Sequence, residues 1–488
     1  MFKRLFLFFT AFVFLAGCST NPATGAKQFT AFMSSAQEQQ VGAQEHEKIL
    51  KEYGLYDDER LQEYVSEVGK NVTARTERPD VTYRFFLLDS PIVNAFALPG
   101  GYIYLTRGLM ALAGSEAEMA AVLAHEAGHI TARHSAERYS RGVATSIGAS
   151  ILSAAIDSSG VTQALGIGSD LYLKSYSREQ ESEADILGIR YLGRAGYDVN
   201  AMASFLQRLQ ADSALERRLA GQTGFNPLNT FFATHPATGD RVSKTVAEAR
   251  AAARGEGGGA VGRDAYLRVI DGMIYGDSAA QGFVRGDTFV HPELGFIFSV
   301  PEDYRLFNSP SQVVAKGMGA SNGGLIIFDI QRNAERVSPM RYLRDDWLKG
   351  QAVERAEEIT VGGMKAATAS LAGRFDNRNV MLQLVAVRWG DDQIARFQVV
   401  LPPNPTSSQL DALKAATYSF RKMKADEYKS YSPRRIRIVT AKDGDTVTSL
   451  SARMAVDDYR EERFRVLNGL SAGQKLQPGQ LYKIVASF

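Results

Sequence analysis

The chain has 488 residues, with 56 Lys and Arg against 54 Asp and Glu, a formal net charge of +2, 45% hydrophobic residues and one cysteine. So even a balance provides no basic patch for nucleic acid, and the apolar content is that of a globular chain long enough for three or more domains. One thiol excludes an internal disulfide framework.

Lys3-Arg4 is a short basic region, and Leu5 to Ala16 is an apolar run too short to span a bilayer comfortably. The run ends in Leu15-Ala16-Gly17-Cys18. Residues 1–17 thus resemble a bacterial lipoprotein signal peptide cleaved before Cys18. The resemblance implies lipidation of Cys18. Ser19 in the next position, rather than Asp, implies the periplasmic face of the outer membrane. A cysteine carrying several acyl chains anchors stably. Asn21 to Ala26 is polar and turn-rich, so residues 18–27 read as a tether, and the mature chain carries no thiol for disulfides.

Residues 101–105 follow a Pro-Gly-Gly turn and alternate Tyr with aliphatic side chains, the pattern of a strand. If that strand is a sheet edge beside the site described next, Gly101, Tyr102, Ile103 and Tyr104 can pair with an extended peptide by β-augmentation.

An S-x-x-E cap at Ser115 and Glu118 precedes an alanine-rich helical run from Ala117 to Ala132. Inside it stands His125-Glu126-Ala127-Gly128-His129. Residues four apart share a helix face, so His125 and His129 can give imidazole nitrogens to one metal ion. Glu126 is then placed to take a proton from water that the metal activates. A core helix with hydrogen-bonded histidines has the same spacing, but a buried charged glutamate between them is costly without a metal or proton partner. A catalytic zinc needs a third ligand and an open position. Ser177 and Gln180 cap a second helix that runs to Gly196, and on it Glu181 and Asp185 share a face while Glu183 is rotated away. Glu181 is the expected third ligand of a single zinc ion. Asp185 is the expected carboxylate behind a ligand histidine. A solvated acidic helix face gives the same pattern. Residues 143–168, rich in Gly, Ala and Ser and interrupted by Asp157, read as helices over the cleft, a candidate lid and not a membrane span.

HExxH followed by E-x-x-x-D resembles the HtpX-like and CAAX-prenyl-protease-like zinc metallopeptidases, the gluzincins. Asn94-Ala-Phe-Ala-Leu-Pro-Gly-Gly-Tyr-Ile-Tyr-Leu-Thr, Arg107-Gly-Leu and His235-Pro-Ala-Thr-Gly-Asp-Arg241 resemble further family segments, and together the likeness covers residues 28 to 250. It implies zinc held by His125, His129 and Glu181, with Glu126 as base. His235 and Arg241 are candidates to steady the developing oxyanion. His235 could instead occupy the open metal position and hold the enzyme latent, or simply start a helix before Pro236.

Residues 254–288 read as a Gly-rich linker followed by a segment, Tyr266 to Tyr275, returning to the peptidase surface. From residue 289 to 425, runs such as Phe296–Val300, Gly324–Ile330, Val380–Val387 and Ile394–Leu401 read as strands, and 342–350 and 408–418 as helices. This is an α+β antiparallel-sheet domain with a faint resemblance to PsbP/Mog-like folds and no catalytic constellation. Residues 435–486, with Gly444-Asp445-Thr446, Asn468-Gly469 and Pro478-Gly479, resemble a βααβ LysM domain, which implies binding to peptidoglycan.

The expected architecture is therefore multidomain. A mainly α peptidase domain with a small β-sheet (28–253) comes first, then the linker, the α+β domain and the LysM-like domain. The expected activity is hydrolysis of peptide bonds in misfolded or misassembled envelope proteins. A peptidoglycan cross-link hydrolase and a non-catalytic chaperone or adaptor for outer-membrane assembly are the alternatives.

Overall fold

The computed structural model describes residues 18–156, 175–219, 231–236, 239–256, 258–318, 324–351, 353, 355–375 and 378–487. The signal-peptide reading and the later part of the 143–168 reading lie outside these. The described residues form two compact units, one of those within 1–215, 229–275 and 436–485, the other chiefly of those within 276–435. No helix among the described residues is long and apolar enough to cross a membrane.

In the first unit β1 (Cys18–Thr20) and β2 (Lys27–Phe29) form an antiparallel hairpin. The segment expected to be a tether is thus an ordered turn, and Asn21 within it is buried at 3% exposure. Its side-chain oxygen accepts from the N–H groups of Ala23 and Thr24, an Asx turn that fixes the loop locally. Two capped helices follow, α1 (Ser35–Tyr53) and α2 (Glu59–Thr73). Next comes a three-stranded sheet of β3 (Arg84–Leu88), β4 (Ala95–Leu98) and β5 (Tyr102–Thr106), in the order β3-β5-β4. The Pro-Gly-Gly turn expected before β5 forms, with Gly100 and Gly101 at positive φ and backbone packed so close that a Cβ on Gly101 would meet Thr82 O at 2.4 Å.

The edge-strand expectation for residues 101–104 is corrected here. β5 is the middle strand, parallel to β3 and antiparallel to β4. Alternation shows that a segment is a strand but not how many neighbours it has. The parallel partner comes from residues 84–88, whose Phe-Phe-Leu-Leu run carries no alternation. β3 and β4 are the edges.

After β5 come α3 (Arg107–Leu112), α4 (Glu116–Thr131), α5 (His134–Ile156), α6 (Arg178–Arg194), α7 (Asn200–Leu219), α8 (Phe231–Thr234), α9 (Gly239–Glu256) and α10 (Arg263–Ile270). The return segment is buried in the first core, with the Tyr266 hydroxyl donating to Met110 O. The α6 capping box forms as expected. The α4 box forms only in half. Ser115 accepts from Glu118 N, but the Glu118 carboxylate accepts from Gly114 N and pairs with Arg208 at 2.9 Å instead of turning back to Ser115.

Residues 436–485 are not a separate tail. They take the order strand, helix, helix, strand, Arg434–Thr440, Val447–Ser451, Arg460–Asn468 and Leu481–Ala486, and the two strands join Ile274–Tyr275 in one sheet. Ile436, Phe464, Ile484 and Val485 belong to the same apolar core as α4. The Lys483 ammonium, 1% exposed, donates to the carbonyls of Ala111, Leu112 and Ala113, which would otherwise be open acceptors at the end of α3.

The second unit is the antiparallel α+β layer that the strand pattern implied. A seven-stranded sheet and a four-stranded sheet enclose Phe296, Phe298, Phe328, Phe397 and Phe420, with the helix Ser407–Ser419 beside them. Where residues 342–350 were expected to be α-helical, Tyr342–Trp347 is a π-helical turn, closed by the i→i+5 bond from Leu348 N to Leu343 O.

Candidate metal centre

α4 and α6 approach through small residues. A Cβ on Gly128 would meet Ala184 O at 3.1 Å, and one on Gly188 would meet His125 N at 3.2 Å. That closeness carries the Glu181 carboxylate to the imidazoles on α4. His125 Nε2 lies 3.1 Å from His129 Nε2 and 3.6 Å from Glu181 Oε2, and His129 Nε2 lies 3.5 Å from Glu181 Oε1. The first residue after α8, His235, adds Nδ1 at 3.4 Å from His125 Nε2 and 2.9 Å from Glu181 Oε1. These four donor atoms all lie within 4.8 Å of one another and all four residues are buried.

The donor set fits a metal ion. Two ligand atoms each about 2.0–2.1 Å from one tetrahedral zinc stand roughly 3.4 Å apart, close to the separations found. His235 Nε2 and Glu126 Oε1 face each other at 3.4 Å, and neither they nor Glu126 Oε2 make a hydrogen bond among the described residues, which is costly unless something else completes the cluster. His/His/carboxylate is also the chemistry zinc selects.

Around the donors stand the groups that orient them. His125 Nδ1 lies 2.9 Å from Asp185 Oδ1, and Asp185 is held by both arms of Arg241 at 2.8 Å and by the Thr245 hydroxyl at 2.8 Å. His129 Nδ1 lies 2.8 Å from His134 Nδ1, whose Nε2 lies 3.1 Å from Glu183. Tyr176 stacks on His129 at 3.8 Å between centroids and Phe231 stacks on His235 at 4.4 Å. Burial opposes ionisation of Asp185, but the Arg241 and His125 hydrogen bonds win and hold its pKa at about 2. Burial likewise opposes Glu181, and the charge of His235 with the His129 and His235 hydrogen bonds brings it well below the usual carboxylate range. Glu126 goes the other way, raised because burial outweighs the neighbouring histidines. Burial lowers His129, while the Glu181 and Glu126 charges overcome burial and raise His235.

Arg241 is not over the site as an oxyanion donor would be. Its guanidinium is bound to Asp185, and Nη1 lies 2.5 Å from Glu181 Oε2, so it supports the carboxylates from behind. Sequence reasoning missed His134, Glu183, Tyr176 and Thr245. Scarcity was the available signal for the first, because four of the chain's six histidines, His125, His129, His134 and His235, meet here. Glu183 is rotated away from Glu181 as read, and that rotation is what delivers it to His134 on the other side.

Residues 59–249 match the model of Peptidase family M48, and that stretch contains every donor of the cluster. The similarity to that family is confined to this stretch. The chain is 32% identical over 212 residues to the mitochondrial metalloendopeptidase OMA1 of Schizosaccharomyces pombe, covering 42% of this chain and 59% of that one. It is 30% identical over 186 residues to the beta-barrel assembly-enhancing protease of Escherichia coli, covering 36% of this chain and 38% of that one. The chain therefore spans little more than a third to about three-fifths of the length of these relatives. Among solved structures, a cyanobacterial PsbP from Synechocystis is matched at 14% identity with a TM-score of 0.20, covering 29% of this chain and 95% of its own; so low a score carries no inference about the second unit.

Proposed function

We propose that this chain is a zinc-dependent metalloendopeptidase that cuts proteins of the bacterial envelope, held by lipid on Cys18 at the periplasmic face of the outer membrane. The observation that carries the reading is the buried convergence of His125, His129 and Glu181 beside the fully buried Glu126 carboxylate, which faces His235 Nε2 at 3.4 Å. The Escherichia coli relative is named for enhancing beta-barrel assembly, and this supports an envelope role in which misassembled proteins are the substrates.

His125, His129 and Glu181 would hold the ion, which when bound polarises the scissile carbonyl and acidifies water at the site. Glu126 takes the water's proton and delivers it to the leaving amine, a task suited to a carboxylate whose pKa burial has raised. Asp185 fixes His125 with Nδ1 turned outward, leaving Nε2 for the ion. β4 is the strand that takes the substrate backbone, because it is a sheet edge and Ala97 on it lines the same small cavity as His129. The βααβ segment at 435–486 is the surface offered to peptidoglycan.

His235 has a second role in this reading. Its Nδ1 lies 3.4 Å from His125 Nε2 and 2.9 Å from Glu181 Oε1, so it either holds the site latent as a fourth ligand or withdraws to steady the developing oxyanion. Metal analysis of the purified chain with casein cleavage, with and without chelator, tests the activity. One zinc per chain and loss of cleavage in Glu126→Gln are expected, and a metal-free or equally active variant would refute it. Muropeptide release from sacculi by the wild type would move the substrate to peptidoglycan. His235→Ala should raise cleavage if the side chain blocks the site and lower it if it steadies the oxyanion.

A further inference from the structure

Behind His129 runs a line of hydrogen bonds whose directions can be worked out. His129 presents Nε2 to the donor cluster, so for a neutral ligand imidazole the proton sits on Nδ1 and is donated to His134 Nδ1, 2.8 Å away. His134 then carries its proton on Nε2 and donates it to Glu183 Oε2 at 3.1 Å. The other Glu183 oxygen accepts from Asn21 Nδ2 at 2.8 Å and from the Thr24 hydroxyl at 2.9 Å. Asn21 cannot turn its amide over, because its oxygen is already held by the N–H groups of Ala23 and Thr24. The hairpin carrying Asn21 and Thr24 is itself fixed, by β1–β2 pairing, by Ser19 against Thr30 at 2.7 Å, and by Arg190, which donates to Ala23 O at 3.3 Å.

We infer that the hairpin at residues 18–29 orients the metal ligand His129 through Glu183 and His134, making Asn21, Thr24, Glu183 and His134 positioning residues of the metal centre. This rests on the metallopeptidase reading above. Asp185 does the same work for His125 from within the peptidase helices, whereas His129 is supported by a segment outside the stretch that matches the family model. Residue 18 opens the first strand of that hairpin, so the segment read as the anchor and the segment that supports the metal are one.

The test uses the purified full-length chain in detergent, zinc affinity by competition with a chelator, and the visible spectrum of the cobalt-loaded form. Glu183→Gln should weaken zinc binding by about 10–100-fold, shift the cobalt bands, and leave the melting temperature of the metal-free chain unchanged. Asn21→Asp should weaken it as well, since two carboxylates then face each other. Combining Glu183→Gln with Asn21→Asp should restore most of the affinity, because the new amide can donate to the new carboxylate while the Asx turn survives. Thr24→Val, at an exposed position that cannot threaten the fold, should cost up to about fivefold, the effect of one hydrogen bond. Wild-type affinity and spectrum in Glu183→Gln and Thr24→Val, or a double variant no better than its parents, overturns the inference while leaving the peptidase reading standing. A wild-type chain that takes up no zinc overturns both.

Discussion

The two units bury different things. The first buries charge: His125, Glu126, His129, Glu181, Asp185, His235 and Arg241 are all at 5% exposure or less. The second buries rings, with Phe296, Phe298, Phe328, Phe397 and Phe420 packed edge to face or tilted at 4.8 to 5.6 Å. Its paired Arg396 and Asp329 stay partly exposed. Burying charge is costly unless the groups are met, and the first unit meets them from several helices, with the Glu126 carboxylate facing only the His235 ring at 3.4 Å and making no hydrogen bond among the described residues. Burying rings costs nothing of that kind, and among the described residues the second unit brings together no set of metal-holding side chains. The comparison separates a unit packed around buried charge from one packed around buried rings.

The largest effect that would break this contrast is expected in the ring core. Phe397→Ala should cost about 3–5 kcal/mol of stability in the second unit, read by denaturant unfolding, while zinc content stays at wild type. Zinc lost together with the sheet would show that the units are not energetically separate. Asp185→Asn should do the reverse, lowering zinc affinity about 10–100-fold by chelator competition and leaving the sheet unit's unfolding unchanged. Lys483→Met sharpens the boundary of the first unit. Three buried carbonyls lose their donor, and a loss of about 1–3 kcal/mol is expected in that unit's unfolding; no loss would make residues 436–485 an independent tail after all. The smallest effect is in pH. Asp185 is depressed to about 2, so its stabilisation is fully present above the ordinary carboxylate range near pH 4 and is lost as pH falls through the folded value. Acid melts of the metal-free chain should show this in the first unit, and Asp185→Asn should remove that part of the slope.

Much of the site could be read in advance because it is local. The HExxH spacing sets two imidazoles on one face of α4, and the Ser177 cap fixes where Glu181 and Asp185 fall on α6. Strands at 296–299, 325–332, 378–388 and 393–401 were also legible, since alternating or apolar runs bounded by Pro and Gly admit few other conformations. Arg241 was misplaced because sequence proximity to His235 says nothing about which carboxylates will capture a guanidinium. β5 was misplaced because alternation does not count neighbours.

What the sequence determined by itself is the set of short-range periodicities: which side chains share a helix face, where caps start helices, and where strands begin. Only the tertiary structure decided that His235 would join the cluster of His125 from 110 residues away, that Asn21 would close on Glu183 from 162 away, and that β5 would be the middle strand with β3 and β4 at the edges. The physical reason is that backbone geometry repeats every few residues and is written locally. The partner of a buried charge or of a strand edge is instead chosen by how whole elements pack, a free-energy difference that no short window of sequence contains.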